Sequence, residues 1–285
     1  YKTDKLNAVL GRYYYSENDS RTETIEFGPA SLLSALVYPA PLVWDFGVNV
    51  DAKSYAMFGQ IQWKIVENLS LTLGGRYSWD QKKVTFDTKT TVPFVITDFN
   101  TSLSRNWDSF DPTVSLSYNF TDDVMGYASY TSGFKSGAFQ FIAVSPAMAQ
   151  QVAEPESVDS FEVGMRTTLL DRHLRLNLAI FDMNYQNLQQ LRLVSIGGGV
   201  SRIIIANAAD SSIRGFELEG RAVFDSKWSL DFSYGYLDAK FENYVFDASL
   251  DFSGNRMQRA PKHTLSLGLN FETETGIGDL VTRLA

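Results

Sequence analysis

Cysteine is absent from the 285 residues, so the chain has neither a disulfide framework nor a thiolate metal site. Histidine is nearly absent: only His173 and His263 occur. Basic runs are missing too. Lys and Arg number 25 against 33 Asp and Glu, a net charge of −8, and this argues against nucleic acid as a partner, because its backbone needs clustered cations. No apolar run is long enough for a membrane-spanning helix. The least polar segment, LLSALVYPAPLVW from Leu32 to Trp44, falls short of the ~20 residues required and is interrupted by Pro39 and Pro41. The opening YKTDKLNAVLGRYYY is no signal peptide, since no charged start precedes an apolar core. None of these absences excludes a membrane protein built of strands, whose signal per segment is far weaker.

Aromatics are abundant, with 20 Phe, 14 Tyr and 5 Trp, and a period of two recurs. In LSLTLGGRYSWD, Leu69, Leu71, Leu73, Tyr77 and Trp79 share one side while Ser70, Thr72, Arg76, Ser78 and Asp80 share the other. WSLDFSYGY sets Trp228, Leu230, Phe232, Tyr234 and Tyr236 against Ser229, Asp231, Ser233 and Gly235. FEVGMRTTL, HLRLNLAI, GFELEGRAVF, TVSLSYNF and TLSLGLNF repeat the pattern. The alternation predicts eleven strands, at 6–15, 49–66, 68–88, 106–120, 124–137, 157–170, 173–194, 209–224, 228–246, 263–273 and 279–285. Strand 124–137 alternates poorly, and Phe58 sits on the wrong face of 49–66. Tight polar turns (67–68, 121–123, 171–172, 225–227 and 273–278) are expected to alternate with long irregular loops at 16–48, 89–105, 138–156, 195–207 and 247–262. A short helix is expected near Ser31 to Val37. Several strands far exceed the usual ~5–6 residues of soluble proteins.

Long strands with one apolar face either stack as a soluble sandwich or turn that face to lipid. Lipid is favoured on three grounds. Connections are short at one end and long at the other. Aromatics gather near strand ends, suiting the headgroup level. The polar face carries mid-strand charges such as Arg76, Glu162, Arg166, Glu217, Glu219 and Asp231, and a dry core could not hold these unpaired. Leu69 to Leu73 then meet acyl chains, Tyr77 and Trp79 the outer headgroups, and Asp80 extracellular water.

Little here points to bond chemistry. His263 is close in sequence to Ser253 and Ser266, but nothing unites them as a nucleophile and base. Glu217 and Glu219 share a strand face and are expected to pair with Arg166 and Arg221 or with a lumenal partner. SIGGGVS (Ser195 to Ser201) follows no strand-to-helix pattern and is no phosphate cradle. No cluster has metal-ligand spacing, and no cofactor is expected.

GYASYTSGFKSGAF (Gly126 to Phe139) resembles a recurring element of TonB-dependent outer-membrane transporters. YAMFGQIQWKIVENLSLTLGGRYSWDQK, EPESVDSFEVGMRTTLLDRHLRLNLAIFDMNYQNLQ, NAADSSIRGFELEG and GYLDAKF with RAPKHTLSLGLNF resemble further pieces of that family, in order and over nearly the whole chain. The resemblance implies an all-β antiparallel transmembrane β-barrel of 22 strands, with residues 1–285 forming about eleven of them, roughly the seventh to the seventeenth. On this reading the plug domain and the last strands lie outside the chain. The resemblance further implies active uptake of a scarce nutrient, most readily a ferric siderophore, across the Gram-negative outer membrane. The partners it implies are the TonB–ExbB–ExbD system acting through the plug, and outer-membrane lipid and lipopolysaccharide. A passive porin and a soluble β-rich binding module are the alternatives. Phe134, Lys135 and Phe139 of GFKSGAF are the first substrate-binding candidates. Arg105, Trp107, Tyr185, Gln189, Arg192 and Arg202 follow by position.

Overall fold

A computed structural model describes residues 1–27, 42–92, 96–197, 200–246 and 250–284, with backbone alone for 193, 195–197, 200–202 and 208. Its strands are β1 (Leu6–Phe27), β2 (Leu42–Val66), β3 (Leu69–Thr90), β4 (Phe99–Thr121), β5 (Val124–Lys135), β6 (Ala138–Phe139), β7 (Val152–Ala153), β8 (Glu156–Leu169), β9 (Leu174–Gly197), β10 (Val200–Val223), β11 (Trp228–Asn243), β12 (His263–Thr275) and β13 (Gly278–Leu284). One helical turn, α1 (Pro146–Ala149), lies between β6 and β7. Eleven strands form a single antiparallel sheet in chain order, and β6 pairs with β7 as a separate hairpin. The sheet runs from β1 to β13 without closing, which makes it a partial barrel.

Register fixes which residues share a face. Ile61, Leu73 and Val114 form one row across β2, β3 and β4, and Ala128, Val163, Ile180 and Phe216 continue the apolar surface across β5, β8, β9 and β10. Leu73, Val163 and Leu267 are 49%, 52% and 52% exposed. Leu71, Leu176 and Phe232 stand on this same face, and no second layer covers it. Both buried apolar clusters lie on the opposite, inner face. In water the uncovered face would be an aggregation surface; in a bilayer it is a solvated one. Aromatics bound it. Tyr118 packs on Phe120 (4.9 Å) and Trp228 on Phe271 (4.7 Å) at the short-turn end. Tyr14 packs on Tyr55 (5.0 Å) and Tyr77 on Trp79 (6.3 Å) toward the other. From Trp63 to Tyr55, β2 advances about 26 Å at ~3.3 Å per residue, comparable with the roughly 25 Å apolar band of outer-membrane barrels.

Several expectations need correction. Residues 16–27, 42–48, 89–90, 99–105 and most of 195–207 were expected to be loop, yet they are strand. Only residues 198–199 separate β9 from β10. Beyond the membrane the apolar side changes face: Leu42, Trp44, Phe46 and Val48 alternate along β2 but are buried inward against the 138–156 connection, so a reading keyed to an apolar outer face takes them for loop. The asymmetry between the two ends therefore lies in how far strands extend as much as in loop length. The 138–156 connection is not a free extracellular loop: it folds onto the inner face and buries Met148 and Ala149. β5 stops at Lys135 and alternates poorly because Gly126 and Ala128 occupy its lipid face and Tyr127 its inner one. Phe58 does face inward, where its ring covers Gly11. The helix expected near residues 31–37 lies outside the described residues.

The β10–β11 turn shows how one carboxylate sets a hairpin. Asp225 Oδ1 accepts from the backbone N–H of Lys227 (2.7 Å) and of Trp228 (2.8 Å), and these bonds hold its pKa below the ordinary aspartate value. A depressed folded-state pKa stabilises above the unfolded value and loses that contribution as pH falls through the folded one. Asp225→Asn is expected to flatten the acid limb of a stability-versus-pH curve below about pH 4, where aspartate titrates. Refolding into detergent micelles at stepped pH measures it, and an unchanged acid limb contradicts it.

Candidate functional site

The inner face carries the polar chemistry. Arg76, Asp80, Glu162, Arg166, Arg175, Glu217, Glu219, Arg221 and Asp231 all fall on it, as alternation requires. Their pairing differs from expectation. Arg221 faces Asp231 at 3.8 Å rather than either glutamate. Arg166 lies over the Tyr127 ring at 5.6 Å, and Tyr127 donates to Glu162 at 2.6 Å. Among the described residues no ion pair forms on Glu217 or Glu219. These two line a polar hollow of about 640 Å³ near the short-turn end, together with Arg166, Arg175, Asn177 and Glu162.

A second polar hollow, of about 550 Å³, lies higher on the wall. Hydroxyls of Ser54, Ser78, Thr113 and Ser136 line it, with Arg76, Lys135, Asp80 and Asp111. Arg76 donates to Ser78 Oγ (2.9 Å) and its guanidinium lies 5.1 Å from the Tyr13 ring centre. Asp111 accepts from Ser109 Oγ at 2.8 Å. Lys135 pairs with Glu156 at 3.2 Å.

The β5–β8 connection roofs this hollow, and five hydrogen bonds hold it in place. Lys82 Nζ donates to the Gly137 carbonyl at 2.9 Å. Gln140 bonds both backbone groups of Ile205, donating at 2.8 Å and accepting at 2.9 Å, so its amide mimics a strand partner for β10. Asn207 accepts from Glu154 N–H at 2.7 Å and donates to the Glu154 carbonyl at 2.8 Å. Apolar packing completes the roof, with Met148, Ala143 and Phe139 against Trp44, Phe86 and Trp107. Gly137 is required here, because a Cβ would lie 2.4 Å from the Trp107 indole and 2.6 Å from the Ala153 carbonyl oxygen.

The expected substrate residues divide into two groups. Phe134 is half-buried against the first apolar cluster, and Phe139 is buried with its ring 5.9 Å from that of Trp107. Lys135 faces the hydroxyl-rich hollow. Gln189 ties the base of the roof, donating to the Ser136 and Glu154 carbonyls at 3.0 Å each, while its N–H reaches Glu156 at 2.7 Å. Tyr185 and Arg192 belong to the other group. Tyr185 packs on the second apolar cluster, and Arg192 lies 5.0 Å from the Phe246 ring centre with a buried Nε lacking a hydrogen-bond partner among the described residues. Arg105 is exposed on β4 and donates to the Ser104 carbonyl at 3.1 Å. Arg202 belongs to β10, and its side chain lies outside the described residues. Sequence reasoning did not nominate Lys82, Gln140, Asn207 or the serines of the hollow, although the inward parity of Ser54 and Ser78 was a usable signal. His263 joins no catalytic set: its Nδ1 meets the Tyr234 hydroxyl at 2.9 Å, while Ser253 Oγ accepts from Tyr244 N–H. No group of three or more potential metal ligands occurs among the described residues.

Comparison with known proteins agrees with this geometry. The family described as TonB dependent receptor-like, beta-barrel, matches residues 4–281. The pesticin receptor of Yersinia enterocolitica is 25% identical over 274 residues, covering 94% of this chain and 38% of the receptor. A probable TonB-dependent siderophore receptor of Acinetobacter baumannii, PiuA, is 24% identical over 241 residues, covering 80% of this chain and 30% of that protein. Among solved structures, the ferric yersiniabactin uptake receptor FyuA of Yersinia pestis superposes with a TM-score of 0.71 at 18% identity, over 99% of this chain and 39% of that one. The chain thus spans well under half the length of these relatives.

Proposed function

The chain belongs to the TonB-dependent receptor β-barrel family, whose members are outer-membrane transporters and not enzymes, and on that premise we propose that it forms the wall of a receptor for energised uptake of a scarce nutrient, a ferric siderophore. TonB, with its ExbB–ExbD motor, supplies the energy through a plug that the lumen surrounds. The observation that carries this reading is the inner wall itself: a hydroxyl-rich hollow holding Arg76 and Lys135 under an inward-folded roof, on a sheet whose other face is uncovered and apolar. Such a wall offers hydrogen bonds and both signs of charge to a polar chelate, with no group placed for bond making or breaking. The siderophore assignment is supported by what the relatives are named for.

The test uses the protein expressed from its complete reading frame in a strain lacking it. Growth on single ferric chelates and uptake of radiolabelled iron should both depend on the gene and on TonB. Arg76→Gln with Lys135→Gln should lower apparent affinity for an anionic chelate by about tenfold, a loss of roughly 1.4 kcal/mol, at unchanged outer-membrane abundance. TonB-independent uptake points instead to a passive pore.

A further inference from the structure

Above the aromatic belt, β1–β4 run on as a ladder with two unlike faces. The inner face is apolar and lies under the roof. The outer face, over the rows that start at Ser16, Asn18, Ser20 and Thr22 of β1, carries only Gly, Ser, Thr, Asn, Gln, Asp and Lys. All of these residues but Gly47 and Thr85 are exposed. Most of their side chains are short, so another surface can come close to this one, and only hydrogen bonds and charge can hold it there.

The charges on this face are unspent. Register sets Asp51 of β2 directly opposite Lys83 of β3, yet no ion pair joins them. Asp51 leans the other way and accepts from Asn18 Nδ2 of β1 at 2.5 Å. Neither Lys83 nor Lys53 forms an ion pair among the described residues. The charged collar farther round the sheet behaves differently. There Asp182 closes on Arg214 at 2.9 Å, and Asp238 on Lys240 at 2.7 Å. The open pair stands four residues above Tyr55 and Trp79, which are 47% and 58% exposed. Their rings head an apolar groove of about 1110 Å³ that Tyr14, Met57 and Tyr77 also line.

We propose that two copies of this chain meet on this face, with Asp51 of each copy paired to Lys83 of the other. Two copies inserted the same way in one membrane are related by a two-fold axis along its normal, and the same patch then serves both. An axis between β2 and β3 turns β2 of one copy toward β3 of the other. Asp51 and Lys83, neighbours across those strands, thereby meet their opposites twice. Barrel strands tilt by about 35–45°, so the facing strands cross and close contact stays near the axis. Exposed ion pairs are individually weak, so the assembly depends on both being made and on confinement of the copies to one bilayer. The inference concerns assembly and is independent of the nutrient carried.

The test is two-colour single-molecule imaging of the complete protein in dilute lipid vesicles, each copy carrying one of two fluorophores. Wild-type copies should co-localise as dimers. Asp51→Lys sets cation against cation, and Lys83→Asp sets carboxylate against carboxylate. Each variant alone should lower the dimer fraction at least tenfold, with the heat-modifiable gel mobility of a folded barrel unchanged. One colour of Asp51→Lys mixed with the other colour of Lys83→Asp should restore dimers, since each copy then supplies the charge the other needs. A pair within one chain could not be restored by mixing. Lys89→Asp, three rows farther from the membrane on β3, should change nothing. A monomeric wild type, single variants that dimerise as well as wild type, a mixture that stays monomeric, or loss of the dimer on Lys89→Asp would each overturn the proposal.

Discussion

Leu178→Arg is expected to destabilise the membrane-inserted barrel by about 2–4 kcal/mol, the cost of a cation facing lipid near the bilayer centre. Leu178 lies between Leu174, beside the short turn, and Asp182, at the charged collar, and its row neighbours are Met165 and Leu218. No polar group is there to receive a guanidinium, and snorkelling must cross several residues of apolar wall in either direction. The next residue supplies the control. Asn177 faces the lumen between Arg166 and Glu219, so Asn177→Arg should change stability by no more than about 0.5 kcal/mol. Urea unfolding of the complete protein from lipid vesicles measures both. Equal costs at 177 and 178 would mean that the two faces do not meet different solvents.

Gly215→Val is expected to cost about 3 kcal/mol or to prevent assembly outright. A Cβ at Gly215 would lie 2.3 Å from the Tyr236 carbonyl oxygen and 2.8 Å from the Phe181 ring. A side chain can swing away, but the carbonyl belongs to the neighbouring strand, so relief requires the β10–β11 ladder to part. Gly235 is the contrast. Its nearest heavy atom is Thr264 Cβ at 3.9 Å, an ordinary contact, and Gly235→Ala should cost less than about 1 kcal/mol. Phe181→Ala should not rescue Gly215→Val, because the backbone oxygen remains. Heat-modifiable mobility on gels together with unfolding midpoints would read these effects, and rescue by Phe181→Ala would move the obstacle from backbone to ring.

The site was less legible than the fold. Lys135 and Gln189 were picked out as binding residues; Lys135 faces the hydroxyl-rich hollow and pairs with Glu156, while Gln189 ties the base of the roof to the wall. Gln140 was invisible in the sequence because its role depends on Ile205, a residue 65 positions away with unfilled backbone groups. Trp107 was chosen for its position and lies buried beneath the roof, packed against Gly137 and Phe139. None of these contacts leaves a local pattern, since each joins segments that meet only after a long connection has folded inward.

The sequence by itself determined the eleven strands, their antiparallel order, and which side of each meets lipid. Alternation is a local property, and a slip of one residue would turn Leu73 to the lumen and Arg76 to the bilayer. Only the tertiary structure decided how far the ladders run beyond the membrane, that residues 136–155 fold onto the inner face, and which charges pair. Outside the bilayer the apolar residues of β2 and β3 (Trp44, Phe46, Val84 and Phe86) turn inward and are covered by a connection distant in sequence, so what buries them is visible only once the chain has folded. Charge pairing depends on register across neighbouring strands, and that is settled when the sheet forms.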